Sequence, residues 1–121
     1  MANRREQGNH WEDAAESFLH QRGLTTVRRN YHGRIGEIDL IMLDGPVLVF
    51  TEVRYRGSNS HGGGAASVTA AKQRKIIQAA RRFLACEKRH AHRRCRFDVV
   101  SIGSERGRTV MNWIRSAFSV A

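Results

Sequence analysis

The sequence predicts a single α/β domain, with helices covering both faces of a sheet, on three observations. Two segments carry apolar residues at helical spacing. A stretch from Gly36 to Arg56 is apolar on both strand faces, which a sheet strand tolerates only with cover above and below. Helix and strand patterns then follow one another in the order αβββαβ(β). The 121 residues suit one domain over 1–121, with a charged, mobile tail expected at residues 1–8.

Taken in order, the first helix is expected over Asn9–Arg22. Trp11, Ala14, Ala15, Phe18 and Leu19 form its apolar face, Asn9 suits an N-cap, and Gly23 is a stop signal. Leu24–Tyr31 reads as a strand, and His32-Gly33-Arg34 as the turn after it. The Asp44-Gly45 pair marks a hairpin turn between two apolar strands. In the first of these, Ile38, Leu40 and Met42 are expected on one face, with Glu37, Asp39 and Ile41 on the other. In the second, Val47, Val49, Thr51 and Val53 oppose Leu48, Phe50, Glu52 and Arg54. Gly57–Ala66 reads as a flexible loop, without the Lys-Ser/Thr that would make it a phosphate-binding P-loop. A second helix follows over Thr69–Glu87, burying Val68, Ile76, Ile77, Ala80, Phe83 and Leu84. Phe97–Ile102 is a strand, Thr109–Ile114 a weaker one, and Ala117-Phe118 an apolar anchor.

Composition narrows the partner. Lys and Arg number 21 against 11 Asp and Glu, so the formal net charge is +10 and the pI about 11.2. That balance favours a polyanion, nucleic acid before an anionic membrane surface. No apolar run approaches the ~20 residues of a membrane span, and the polar N-terminus is no secretory signal. The expected location is therefore cytoplasmic, with Cys86 and Cys95 reduced. Lys72, Arg74, Lys75, Arg81, Arg82 and the basic residues up to Arg96 stand against one acid, Glu87. A basic helix and loop of this kind suits phosphate contacts, although a solvated helix face is the alternative.

The acids of the hairpin need a separate explanation. Carboxylates are rarely buried without partners, yet Glu37, Asp39 and Glu52 sit in its apolar strands. A two-residue turn puts Asp39 opposite Phe50, with Glu52 its diagonal neighbour on the same face. A three-residue loop would put the two acids on opposite faces. Two readings stay open: oxygen ligands for Mg²⁺ or Mn²⁺, or an ionic network with Arg54, Arg34 or helix arginines. Glu37 reads as an outer partner or an exposed strand-end acid, and Asp98 as a structural acid that positions an arginine of the second helix, with metal binding the alternative. Cys86, His90, His92 and Cys95 fit no standard zinc spacing. Tyr31 and Tyr55 suit either base stacking or packing.

Asp39, followed after a spacer by Glu52-Val53-Arg54, resembles the PD-(D/E)XK nuclease motif. Trp11-Glu12, Asn30, GEIDLI (36–41), FTEVRYR (50–56), SVTAAKQRK (67–75) and RFDVV (96–100) together resemble the bacterial YraN-like family, over about residues 8–118. The resemblance implies a restriction-endonuclease-like three-layer core with a mixed central sheet, similar to archaeal Holliday-junction resolvases. It implies an endonuclease acting on DNA, branched DNA included, or a binding module of the same fold that has lost cleavage. Glu12, Asp39, Glu52 and the Val53 carbonyl would hold Mg²⁺ or Mn²⁺, with Glu16 the alternative ligand on the first helix. Arg54 stands where the motif has lysine; arginine stays charged and is a poor general base. It would hold the phosphate, with Gln73 orienting phosphate or water and Lys72 at the edge. A homodimer is compatible with the sequence but not derivable from it.

Overall fold

The computed structural model describes residues 4–57 and 68–120. Helix α1 (Arg4–His20) precedes strands β1 (Thr25–His32), β2 (Glu37–Asp44) and β3 (Val47–Gly57). Helix α2 (Ala70–Cys86), a 3-10 turn at Lys88–His90, β4 (Cys95–Glu105) and β5 (Arg108–Phe118) complete the chain. The sheet order is β1-β2-β3-β4-β5, antiparallel throughout except for the parallel β3–β4 pair. Only a parallel pair needs a crossover, and α2 supplies it. The mixed sheet and the order αβββαβ(β) agree with the expected three-layer α/β core. The loop expected at Gly57–Ala66 falls almost wholly outside the described residues.

Each sheet face carries its own core. On one, Ala15 and Leu19 of α1 and Leu24 of the following turn meet Leu40, Met42, Val49, Val100 and Ile102. On the other, Ile76, Ala79, Ala80 and Phe83 of α2 meet Tyr31, Ile38, Ile41, Leu48, Phe50, Phe97 and Val99. Phe83 stands edge-on to both Tyr31 (5.4 Å) and Phe50 (6.1 Å). Full burial of each such side chain stabilises the fold by ~1.5–3 kcal/mol. Thr69 caps α2, its side-chain oxygen accepting from the Lys72 N–H at 3.2 Å.

Several expectations are corrected in detail. Helix α1 begins at Arg4 rather than Asn9, because Arg, Glu and Gln are good helix formers even without apolar periodicity; Asn9 is therefore not its N-cap, and the tail expected at 1–8 is helical from Arg4. The β2–β3 turn is centred on Gly45-Pro46, with Asp44 opposite Val47; Gly45 takes the positive φ of 58° that the turn requires. Strand β5 is far longer than expected and takes in Ala117 and Phe118, with Phe118 stacked on Phe97 at 5.0 Å.

The main departure is in strand alternation. Ile38 and Ile41 both face α2, whereas Leu40 and Met42 face α1. An unbroken strand would put Ile38 with Leu40. The neighbouring strand inverts at the same level. Asn30 has a φ of 51°, its Arg29 neighbour reaches toward α1, and Tyr31 packs under α2. Asparagine is one of the few residues that adopts this left-handed conformation readily. Asp39, between Ile38 and Leu40, lies at the crossover. The β2–β3 ladder ends just before it, at Leu40–Thr51.

The β1–β2 turn rests directly on α2. A Cβ on Gly36 would lie 2.5 Å from the Lys75 carbonyl oxygen, so only glycine permits this approach. Gly36→Ala is expected to destabilise the protein by ~1–3 kcal/mol, read as a lower denaturant midpoint with unchanged slope. An unchanged midpoint would mean that the turn can lift off α2 freely.

Candidate metal and nucleic-acid site

Two adjoining clefts open where β2 and β3 diverge. The smaller, about 250 Å³, is lined by Trp11, Glu12, Asp39, Glu52, Val53, Arg54, Tyr55 and Lys72. The larger, about 490 Å³, shares Asp39, Glu52 and Lys72 and adds Ile35, Glu37, Thr69 and Lys75 among its walls. Three elements thus deliver the acids: α1 brings Glu12, β2 Asp39 and β3 Glu52. The first turn of α2 lines the larger cleft through Thr69, Ala71 and Lys72, which brings the positive end of its helix dipole to the cleft.

Asp39 is held by the backbone across the divergence. Its Oδ2 accepts from the Val53 N–H at 2.8 Å, an N–H freed because the β2–β3 ladder has already ended. Glu52 is 5% exposed and hydrogen-bonds to Asp39. Burial, then that bond and the charge of Asp39, push its carboxyl up to about 10, against the opposing charges of Lys72 and Arg54. Glu12 is raised to about 7 by burial and then by Asp39, offset in part by Arg29 and by a hydrogen bond from Asn30. Both shifts have the same cause, the withdrawal of neighbouring carboxylates from water.

Carboxylate oxygens are the donor type that a hard divalent cation takes. Glu12 Oε1 and Glu52 Oε2 are buried with no hydrogen-bond partner among the described residues, which is costly unless something else satisfies them. Among those residues no three His, Cys, Asp or Glu side chains are drawn together into a ready-made cage. Mg²⁺ does not require one: it retains several waters and is bound through one or two carboxylates.

The remaining expected residues divide. Lys72 lines both clefts, and its charge opposes the rise of the Glu52 carboxyl. Arg54 lines the smaller cleft. Gln73 lines neither; its Nε2 donates to the Val68 carbonyl at 3.0 Å, bracing the start of α2. Lys75 lines the larger cleft, whereas Arg74, Arg81 and Arg82 are exposed along α2 outside both. Glu16 is engaged elsewhere, accepting from Thr26 Oγ1 and meeting Arg29. Arg29 also pairs with Asp13 at 2.6 Å and lies 3.9 Å from Glu12, fastening α1 to β1. Glu37 pairs with His32 at the exposed strand start, 3.1 Å apart.

Asp98 is structural, and its arginine comes from its own strand rather than from α2. It is wholly buried and accepts from Arg96 Nε (3.1 Å), Trp113 Nε1 (2.9 Å) and the Ser116 N–H (2.9 Å). Arg96 continues to Asp44 at 2.8 Å. Cys86 and Cys95 are free and exposed. His90 is buried against Phe83, and its Nδ1 accepts from Arg93 Nε.

Sequence reasoning assigned no role to Asn30, and did not pair Trp11 with Tyr55. An asparagine inside a strand rich in β-branched and aromatic residues is a usable signal of an irregular backbone. The Trp11–Tyr55 contact joins α1 to β3 and has no local signature.

Fold and cleft together define a restriction-endonuclease-like α/β protein whose carboxylate cleft faces a basic helix. The chain belongs to the uncharacterised protein family UPF0102, whose model matches residues 11–102. It is 50% identical to a UPF0102 protein of Aeromonas hydrophila over 115 residues, covering 92% of this chain and 83% of that protein. It is 46% identical to one of Alcanivorax borkumensis over 119 residues, covering 98% and 95%. A third, from Xanthomonas euvesicatoria, is 49% identical over 117 residues, covering 97% and 94%. Among the described residues no helix is long and apolar enough to cross a membrane.

Proposed function

We propose that this protein is a metal-dependent endonuclease that hydrolyses phosphodiesters in DNA, branched DNA included, with Mg²⁺ or Mn²⁺. The observation that carries the reading is that Glu12, Asp39 and Glu52 line one cleft, in which Glu12 Oε1 and Glu52 Oε2 are buried without a hydrogen-bond partner among the described residues. These side chains and the Val53 carbonyl would hold the cation. When bound, it would supply Lewis-acid stabilisation of the phosphate and a water of lowered pKa. Arg54 of β3 and Lys72 of α2 offer positive charge to the phosphate from the lining of the same cleft. Lys72 brings from α2 the ammonium that the sheet motif lacks at position 54. Gln73 supports this by bracing the α2 N-terminus. Arg74, Lys75, Arg81 and Arg82 extend the positive surface along which a nucleic-acid backbone would run.

A second reading, a DNA-binding module without cleavage, is favoured by Arg54 alone, because a guanidinium cannot serve as a base. Incubating linear and branched DNA with Mg²⁺ or Mn²⁺ separates the two. Wild-type protein is expected to cleave, and Asp39→Asn to lose at least ~100-fold in rate while retaining salt-dependent DNA binding. Binding without metal-dependent cleavage of any substrate would leave the binding module.

A further inference from the structure

Beside the acids lies a feature that phosphodiester chemistry does not use. The Trp11 and Tyr55 rings are stacked, with centroids 4.4 Å apart and planes 9° from parallel. Both line the cleft that holds Glu12, Asp39, Glu52 and Arg54. Tyr55 nevertheless remains 50% exposed, one of few large apolar side chains left in solvent among the described residues. It is three residues beyond Glu52 on β3, about 10 Å along the strand. Tyr55 is therefore held in a fixed orientation by Trp11, half open to solvent, with cationic Arg54 and Lys72 in the same cleft.

We propose that Tyr55, backed by Trp11, is a stacking platform for an unpaired nucleobase, so that this site takes single-stranded or locally unpaired nucleic acid in preference to intact duplex. A base in a duplex is already stacked on both faces and cannot reach such a ring without being extruded. An unpaired base has a free π-face, and stacking on an aromatic side chain is tolerant of sequence. Arg54 and Lys72 then meet the adjoining phosphates while the base occupies the platform. Holding the ring in advance by Trp11 reduces the ordering cost of binding. The inference rests on the reading of the cleft as a nucleic-acid site, and it specifies which form enters.

The test uses full-length protein in EDTA, so that cleavage plays no part. The ligands are a single-stranded oligonucleotide containing one 2-aminopurine and its fully paired duplex, at one fixed salt concentration. Fluorescence anisotropy reads affinity, and 2-aminopurine emission reads stacking. Wild-type protein is expected to bind the single strand more tightly and to quench its 2-aminopurine. Tyr55→Leu is expected to weaken single-strand binding about tenfold and relieve the quenching, with duplex affinity unchanged; Tyr55→Phe retains both. Equal wild-type affinity for the two forms without quenching would overturn the proposal, as would a Tyr55→Leu loss that is the same for both. Should Tyr55→Leu not fold, as judged by circular dichroism, wild-type preference and quenching decide the matter. Absent cleavage under Mg²⁺ or Mn²⁺ with quenching intact would count against the nuclease reading alone. Cleavage without quenching would count against the platform alone.

Discussion

Glu52→Gln is expected to raise the melting temperature of the metal-free protein at pH 8 by about 4 °C or more, corresponding to ~1 kcal/mol, while abolishing the proposed metal-dependent cleavage. The sign follows from the proton count. Below pH 4.5 Glu52 is protonated in both folded and unfolded chains and contributes no pH dependence. Between 4.5 and about 10 the folded protein keeps a proton that the unfolded chain has lost. Stability therefore falls as pH rises through that window. Glu12 adds to the same slope between 4.5 and about 7. A glutamine amide can donate to Asp39 as the protonated Glu52 does, without the cost of holding that proton. The variant should thus show a shallower decline in melting temperature from pH 5 to pH 8. A lower melting temperature with the wild-type slope would instead show Glu52 ionised and paired with Lys72 and Arg54. That outcome would favour the ionic-network reading of these acids.

Asp98→Ala should be among the most destabilising single changes, by ~3–5 kcal/mol in denaturant or thermal unfolding. Strand β5 bulges opposite Asp98, where the ladder steps from Phe97–Phe118 to Val99–Ile114. The bulge takes Ser116 to a φ of 52°, and its N–H donates to Asp98 Oδ1 instead of a ladder carbonyl. Removing the carboxylate leaves that N–H, the Trp113 indole and one side of Arg96 without their acceptor. Arg96 would retain Asp44 as its ion-pair partner. The effect should fall on stability, with the proposed binding to DNA little changed at temperatures where the variant is folded. A loss below ~1 kcal/mol would show that water satisfies these donors.

Much of the architecture was legible from local pattern. The α2 stripe emerged at helical spacing because Ile76, Ala80 and Phe83 recur on one face of a continuous helix. The alternation of β3 held because that strand is regular between Val47 and Val53. Glu52 and Asp39 were placed on one face by parity. The turn is centred one residue later than expected, but that shifts the register by two, so parity survived. The β2 faces were misassigned at Ile38 because alternation is a property of unbroken strands, and Asn30 and its neighbours invert it. The partner of Asp98 was misassigned because the bulge that needs it lies in a distant strand.

Taken alone, the sequence determined the elements, the two-sided burial of the sheet, the excess of positive charge and the residue types that could meet a cation or phosphate. These follow from periodicity and composition, which short segments carry within themselves. Tertiary structure decided which of those residues meet. It ended the β2–β3 ladder at Leu40, freeing the Val53 N–H for Asp39. It brought Lys72 against Glu52 by resting α2 on Gly36, and set Trp11 beneath Tyr55. Each of those contacts joins separate elements, and their geometry depends on where strands diverge and how closely a helix can approach, which no local pattern records.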